Sequence, residues 1–210
     1  LTQGRFITLE GGEGAGKSTQ ARLLEDRLAA AGIPVVRTRE LGGTPEAEAI
    51  RSLFLADTEV NWLPLSEAFL ANTARHEHLE RLIKPALTEG RWVVCDRFAD
   101  STQVYQGLAQ VPRSTLDTLE KIALGDTRPD LTILFDLDPE IGFARMEDSR
   151  RVQDRFETLG IDYHRRVRES YRALALAEPS RFFVVDASQS PETVTNAIAA
   201  KISKRFGVSI

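Results

Sequence analysis

The run Gly11-Gly12-Glu13-Gly14-Ala15-Gly16-Lys17-Ser18, continued by Thr19, meets the spacing G-x-x-x-x-G-K-[ST] at every fixed position. Its surroundings restrict the fold as much as the motif does. Arg5 to Glu10 reads as a short strand, and Leu23, Leu24, Leu28 and Ala31 recur behind the motif at helical spacing. A strand that passes through a glycine loop into a helix wraps backbone N–H groups around an anionic oxygen. The helix from about Lys17 turns its positive end to the same point. This arrangement implies a site for the phosphates of a nucleoside triphosphate. Lys17 is expected to reach the β and γ phosphates, and the Ser18 hydroxyl to complete a Mg²⁺ shell.

The rest of the chain alternates apolar strands with helical stretches. Strands are expected at Pro34–Arg39, Arg91–Asp96, Leu131–Asp136 and Arg181–Asp186. Thr44-Pro45 reads as a cap followed by proline at the first helical position, opening a helix to about Ala56. A longer helix is expected from Ser66 to Thr88 with a break near Pro85. Further helices are expected to start at Asp100-Ser101, to span Arg113–Leu124, and to run from Ser190-Pro191-Glu192 to about Arg205. Near-continuous apolar strands between helices imply an α/β fold, a five-stranded parallel sheet covered on both faces. Its crevice then lies at the carboxyl ends of the strands. The polar stretch 148–157 between two helices reads as a lid on a single domain that spans 1–210.

Bulk properties exclude several classes. A net charge of −4 is wrong for a general nucleic-acid binder. The longest apolar runs, Trp92–Cys95 and Phe182–Val185, are far too short to span a bilayer. No leader pattern is present, and the lone Cys95 excludes an internal disulfide framework, so a cytoplasmic protein is expected. Arginine outnumbers lysine 22 to 5, so the positions of particular arginines carry the information.

Asp96 follows an apolar strand and is the natural second holder of Mg²⁺, through water, with Arg97 beside it to clamp a phosphate. Arg51 and Arg75 lie on the second and third helices. Arg150, Arg151 and Arg155 fall in the lid segment, with Arg145 just before it. Phosphoryl transfer between two polyanions needs cations from several directions. His76 and His78 are two apart on a helix and cannot share a metal. His164 reads as a surface residue, and Arg165, Arg166, Arg168, Glu169 and Arg172 as a solvated face. Neither N-K-x-D nor D-x-x-G occurs, which argues against a GTPase switch.

Several stretches together carry a more specific likeness. They are Leu9–Thr19, Thr38-Arg39-Glu40-Leu41-Gly42-Gly43-Thr44, Ile50–Leu53, Ile83–Leu87, Asp96–Gly107, Arg128–Thr132 and Asp154-Arg155-Phe156-Glu157. The chain resembles the bacterial thymidylate kinases, P-loop nucleoside monophosphate kinases that convert dTMP to dTDP with ATP and Mg²⁺. The resemblance covers nearly the whole length. It implies a P-loop kinase three-layer sandwich with a short Arg-rich lid, and commonly a homodimer built through helices.

Carried over by position, the resemblance implies that Gly11 to Thr19 hold ATP, with Arg145, Asp186 and Ala187 bordering the adenine. Ser18 and Asp96 hold Mg²⁺. Arg39, Arg51 and Arg97 lie around the dTMP phosphate, and Glu40 and Ser101 also bind this substrate. Arg75, Thr102 and Gln106 face the base, and Tyr105 crowds the 2′ position. Lys17, Arg97, Arg150, Arg151 and Arg155 neutralise the transferring phosphate. Leu41 stands where the family usually has proline, which implies a more mobile loop. Ala71 stands where a large side chain usually packs on the base, which implies weaker thymine affinity unless Phe69 or another side chain fills that space. Gly107-Leu108-Ala109-Gln110-Val111 lacks the usual glycine- and arginine-rich continuation. These departures bear on base selectivity, not on phosphate chemistry. The alternatives are a kinase for another nucleotide or nucleoside, and a P-loop switch without phosphotransfer.

Overall fold

The computed structural model describes residues 4–55, 61–147 and 159–210. Five parallel strands form one sheet in the order β2-β3-β1-β4-β5. They are β1 (Phe6–Gly11), β2 (Val35–Arg39), β3 (Trp92–Asp96), β4 (Leu131–Asp136) and β5 (Phe182–Asp186). Strand β1 is central and every residue in it is buried. The edge strands β2 and β5 keep exposed positions. A run such as Phe6-Ile7-Thr8-Leu9 must serve two cores at once, because successive side chains point to opposite faces.

On one face, Ile7, Leu9, Val94, Ile133 and Phe135 pack against α1 (Lys17–Ala30) and α9 (Pro191–Phe206). On the other, Phe6, Val93 and Cys95 pack against Leu79, Ile83 and Ala86 beneath α3 (Pro64–His78). Fully burying one such aliphatic or aromatic side chain contributes about 1.5–3 kcal/mol. The same alternation carries polar groups inward. Thr8 meets Thr132 at 2.8 Å between hydroxyls, and Glu10 points from β1 to the same side.

The remaining helices are α2 (Pro45–Leu55), α4 (Lys84–Thr88), α5 (Ala99–Leu108), α6 (Arg113–Leu124), α7 (Pro139–Glu147) and α8 (Ile161–Ala177). The long helix expected over 66–88 is three pieces, α3, a π-helical turn over Leu79–Ile83, and α4. Pro85 lacks an N–H for the Arg81 carbonyl, and its ring would collide with that oxygen. The turn before it widens, and Lys84 N bonds back to the Leu79 carbonyl. The strain of proline is absorbed one turn upstream of the residue that causes it.

Two other sequence expectations fail in α8. His164 is buried, not on the surface, with its ring edge-on to Phe143 at 4.8 Å. It belongs to the stripe His164, Val167, Tyr171, Leu174 and Ala175 that α8 buries. Arg168 is not part of a solvated face either. It donates to Asp136 at 2.6 Å and to Asp138 at 3.2 Å, fastening α8 to the end of β4. The 148–157 segment, with Arg150, Arg151 and Arg155, lies outside the described residues.

Candidate active site

The glycine loop leaves β1 and enters α1 through Gly16, whose φ is +85°. No side chain caps α1 at its N-terminus, whereas Ser190 caps α9 by accepting from Thr193 N at 3.2 Å. The first-turn N–H groups of α1 therefore have no side-chain cap at the point where the glycine loop delivers an anion. Lys17 Nζ donates to the carbonyls of Gly11 at 3.0 Å and Gly12 at 2.7 Å, held in the crook of the loop. Burial and the nearby Arg97 charge push its ammonium below the ordinary lysine range, while Glu13, Asp96 and Glu10 pull it back. Gly14, at φ +67°, rests on α7, and a Cβ there would run into the Gly142 carbonyl. Gly142 is bare for the matching reason, since its own Cβ would meet the Glu13 carbonyl.

The Ser18 hydroxyl donates to Asp96 Oδ2 at 2.6 Å. These are hard oxygen groups, one in the first turn of α1 and one at the end of β3, the donor type that Mg²⁺ takes together with several waters. The pair fits the ion expected from the sequence.

Arg97 follows Asp96 with φ +68°, a conformation a branched cation adopts only when its surroundings over-determine it. Its backbone N–H bonds to the Leu9 carbonyl at 2.8 Å. Its guanidinium pairs with Glu13, reaches the Gly11 carbonyl at 3.2 Å, and lies 5.4 Å from the centre of the Tyr105 ring. Desolvation opposes its charge, but Glu13 first, then the tyrosines and Asp96, hold it firmly protonated. Tyr105 in turn donates to Glu13 at 3.2 Å.

These groups border one cavity of about 670 Å³ that extends well past the glycine loop. Arg145, Ala187, Gln189 and Val194 line one end, and Leu41, Phe54, Ala71 and Gln106 the other. Lys17 and Arg97 lie between them. Its lining joins the glycine loop to the Arg39, Arg51 and Arg75 side in one continuous space.

At the second end the walls are buried polar groups. Glu40 accepts from Arg75 Nε at 2.8 Å and meets His78 Nδ1 at 3.2 Å. The other ring nitrogen of His78 lies 2.7 Å from the Thr38 hydroxyl. Gly43, at φ +89°, leaves room for this pair, since a Cβ there would come within 2.5 Å of both. Arg75 also donates to Thr102 Oγ1 at 2.9 Å and to the Phe98 carbonyl at 3.2 Å. Gln106 Nε2 donates to Glu67 at 3.1 Å. Arg39 pairs with Glu48 at 3.0 Å and Arg51 donates to the Leu41 carbonyl at 2.8 Å. The loop over 40–44 is thus tied down at Glu40, Leu41 and Gly43, although Leu41 is not proline.

This geometry can hold two anions in line. Comparison with known proteins identifies the family. A thymidylate kinase family model matches residues 9–198. The chain is 48% identical over 209 residues to a thymidylate kinase from Caulobacter vibrioides, covering 99% of this chain and 100% of that one. It is 49% identical to one from Rhodopseudomonas palustris, covering 97% and 90%. The chain belongs to the thymidylate kinase family. A crystal structure of thymidylate kinase from Ehrlichia chaffeensis superposes with a TM-score of 0.74 at 32% identity, covering 95% of this chain and 98% of that one.

Within that family frame, most expected residues meet at the cavity. Glu13 to Thr19, Arg39, Glu40, Arg51, Arg75, Asp96, Arg97, Ser101, Thr102, Tyr105, Gln106, Arg145 and Ala187 all line it. Three expectations need correcting. Phe69 is half exposed and faces away, because two residues on a helix separate it from Ala71 by more than half a turn. Ala71 itself lines the wall. Asp186 does not reach the cavity; it accepts from Ser188 N at 2.9 Å and Gln189 Nε2 at 2.8 Å, so it shapes the loop that does. Gly11 and Gly12 act through carbonyls turned to Lys17, not as wall. The sequence reading missed Glu10, Glu67, His78 and Tyr171. Glu10 alone left a signal, as the one charge inside an apolar strand.

Proposed function

We propose that the protein transfers the γ-phosphoryl group of ATP to dTMP, giving dTDP and ADP. The observation that carries this is the cavity on both sides of Lys17 and Arg97, read together with membership of the thymidylate kinase family. The adenine lies against the wall formed by Arg145 and Ala187, which the Arg145 guanidinium ties together through the Ala187 carbonyl at 3.0 Å. The triphosphate follows the glycine loop to the uncapped end of α1. At the other end the thymine meets Arg75, Thr102 and Gln106, and the dTMP phosphate meets Arg39, Arg51 and Arg97.

A dTMP phosphate oxygen attacks the γ-phosphorus; that P–O bond forms as the bond to the ADP oxygen breaks. The acceptor oxygen is already a nucleophile, so positioning and charge neutralisation do the catalysis. Lys17 faces the γ-phosphoryl oxygens and Arg97 the acceptor. Ser18 and Asp96 would hold Mg²⁺, which supplies charge neutralisation across the β and γ phosphates. By the resemblance, Arg150, Arg151 and Arg155 complete the cationic enclosure. Two further parts belong to the same reading. The protein works in the cytoplasm, and among the described residues no helix is long and apolar enough to cross a membrane. It is a homodimer through α3, whose outer face presents exposed Leu65 and Phe69 one turn apart.

ADP release measured with ATP fixed and dTMP, dUMP, dCMP or AMP as acceptor tests the reaction. Release stimulated most by dTMP is expected. Strongest stimulation by AMP or dCMP would assign a sister kinase, and none by any acceptor would indicate a switch.

A further inference from the structure

Behind Arg97, on the side away from the cavity, lies a buried hydroxyl that the reaction itself does not use. Tyr171 is on α8, 1% exposed, and its ring belongs to the cluster formed with Val104, Leu134 and Val167. A core tyrosine needs only one partner for its hydroxyl. This one has three. Tyr171 Oη donates to Glu10 Oε2 at 3.0 Å, lies 2.9 Å from Ser101 Oγ, and accepts from Arg97 Nη1 at 3.2 Å. Glu10 closes the cluster by accepting from Phe98 N at 2.7 Å and Ser101 Oγ at 2.7 Å, so the backbone directly after Arg97 is held by the same carboxylate.

Arg97 is the residue at φ +68°. A strained backbone with a long side chain keeps one orientation only if several contacts agree on it. Glu13 pulls the guanidinium from the cavity side through Nη2, and the Gly11 carbonyl and Ser101 hydroxyl bound it at Nη1. Ser101 Oγ is a long partner at 3.4 Å. Tyr171 is the shorter hydroxyl contact, and the one contributed by the element that packs behind the sheet.

We propose that Tyr171 is a positioning residue for Arg97: the hydroxyl, clamped by Glu10 and Ser101, fixes the Nη1 edge, so that the Nη2 edge, shared with Glu13, is held toward the cavity where the acceptor phosphate binds. The inference rests on the reading of Arg97 as the phosphate clamp. It adds that α8, through Tyr171, which lies 74 residues beyond Arg97 in the sequence, sets the geometry of transfer.

The test is a double-mutant cycle with Tyr171→Phe and Arg97→Ala, reading kcat and both KM values on the full chain. In the wild-type background, Tyr171→Phe is expected to lower kcat with dTMP by about tenfold or more while the ATP KM stays within about twofold. In the Arg97→Ala background, the same change is expected to alter kcat by less than about twofold. Leu174→Ala, on the same buried face but away from Arg97, is the control and should lower the melting temperature without that kcat loss. Equal losses from Tyr171→Phe in both backgrounds would overturn the proposal, as would a kcat loss from Leu174→Ala matching that of Tyr171→Phe. Should Tyr171→Phe not fold, Glu10→Gln, which weakens the clamp on the Tyr171 hydroxyl from outside the cavity, enters the cycle with the same expectation. A wild-type protein inactive with dTMP would defeat the functional reading, a result separate from an active one indifferent to Tyr171→Phe.

Discussion

Glu10 sits in the middle of the sheet with three donors around it, Phe98 N, Ser101 Oγ and Tyr171 Oη. Burial, and then the charge of Asp100, push its carboxyl up to about 7, against the pull of Arg97 and the bonds from Ser101 and Phe98. The sign of the consequence follows from proton counts. Between the ordinary value of 4.5 and about 7 the unfolded chain releases this proton and the folded protein keeps it. Stability from this group therefore falls as pH rises through that window, by about 3 kcal/mol when complete. Glu10→Gln keeps the shape and one acceptor for Phe98 N while removing the titration. Urea unfolding midpoints at pH 5 and pH 8 should differ less in Glu10→Gln than in the wild type; an unchanged difference would mean that Glu10 does not carry it. At the same scale, Lys17→Ala should cut kcat/KM by about a hundredfold or more, because the proposed reaction draws the ammonium held in the crook of the loop onto the transferring phosphate. A steady-state kcat/KM within about threefold of the wild type would contradict that role.

Among the elements, the glycine loop is positioned from both ends. Strand β1 delivers it at the sheet, and α7 supports it through the contact between Gly14 and Gly142. Neither glycine can take a side chain without moving backbone. Gly142→Ala should therefore push the Glu13 carbonyl and weaken ATP binding by about tenfold, read by calorimetric titration with the fold intact by circular dichroism. Unaltered ATP affinity would show that the loop does not lean on α7. The strand-loop-helix unit was legible in the sequence because all its parts are contiguous. Strand ends were also legible to within a residue, as at β4 and β5. The π-helical turn was not, because Pro85 announces a break but not where the helix relieves it. The clamp on Glu40 by Arg75 and His78 was hidden for another reason: its partners lie 35 and 38 residues away, and only the packed helices bring them together. Tyr171 and Glu10 are 161 residues apart. No periodicity in either segment signals that meeting, and a tyrosine in an amphipathic stripe reads as ordinary core. The misplacement of Phe69 came from filling a gap by residue type without following the helical angle.

On the scale of the molecule, the sheet order 2-3-1-4-5 places β1 and β3 side by side, so the glycine loop and the Asp96-Arg97 pair open at the same edge. That one adjacency lets a donor nucleotide and an acceptor nucleotide face each other. The outer face of α3 has a separate consequence. Leu65 and Phe69 together leave an apolar stripe in water, and Phe69→Asp should convert the proposed dimer to a monomer in light scattering while leaving the fold intact. A wild-type protein that is monomeric at micromolar concentration would remove the dimer from the account.

The central claim is that one chain holds both nucleotides at once, on opposite sides of Lys17 and Arg97. Calorimetric titration with a single ligand in which adenosine and thymidine are joined by a chain of five phosphates tests it directly. The account predicts one ligand per chain, with affinity lost in both Lys17→Ala and Arg97→Ala. Two ligands per chain, or binding that Arg97→Ala leaves unchanged, would contradict it.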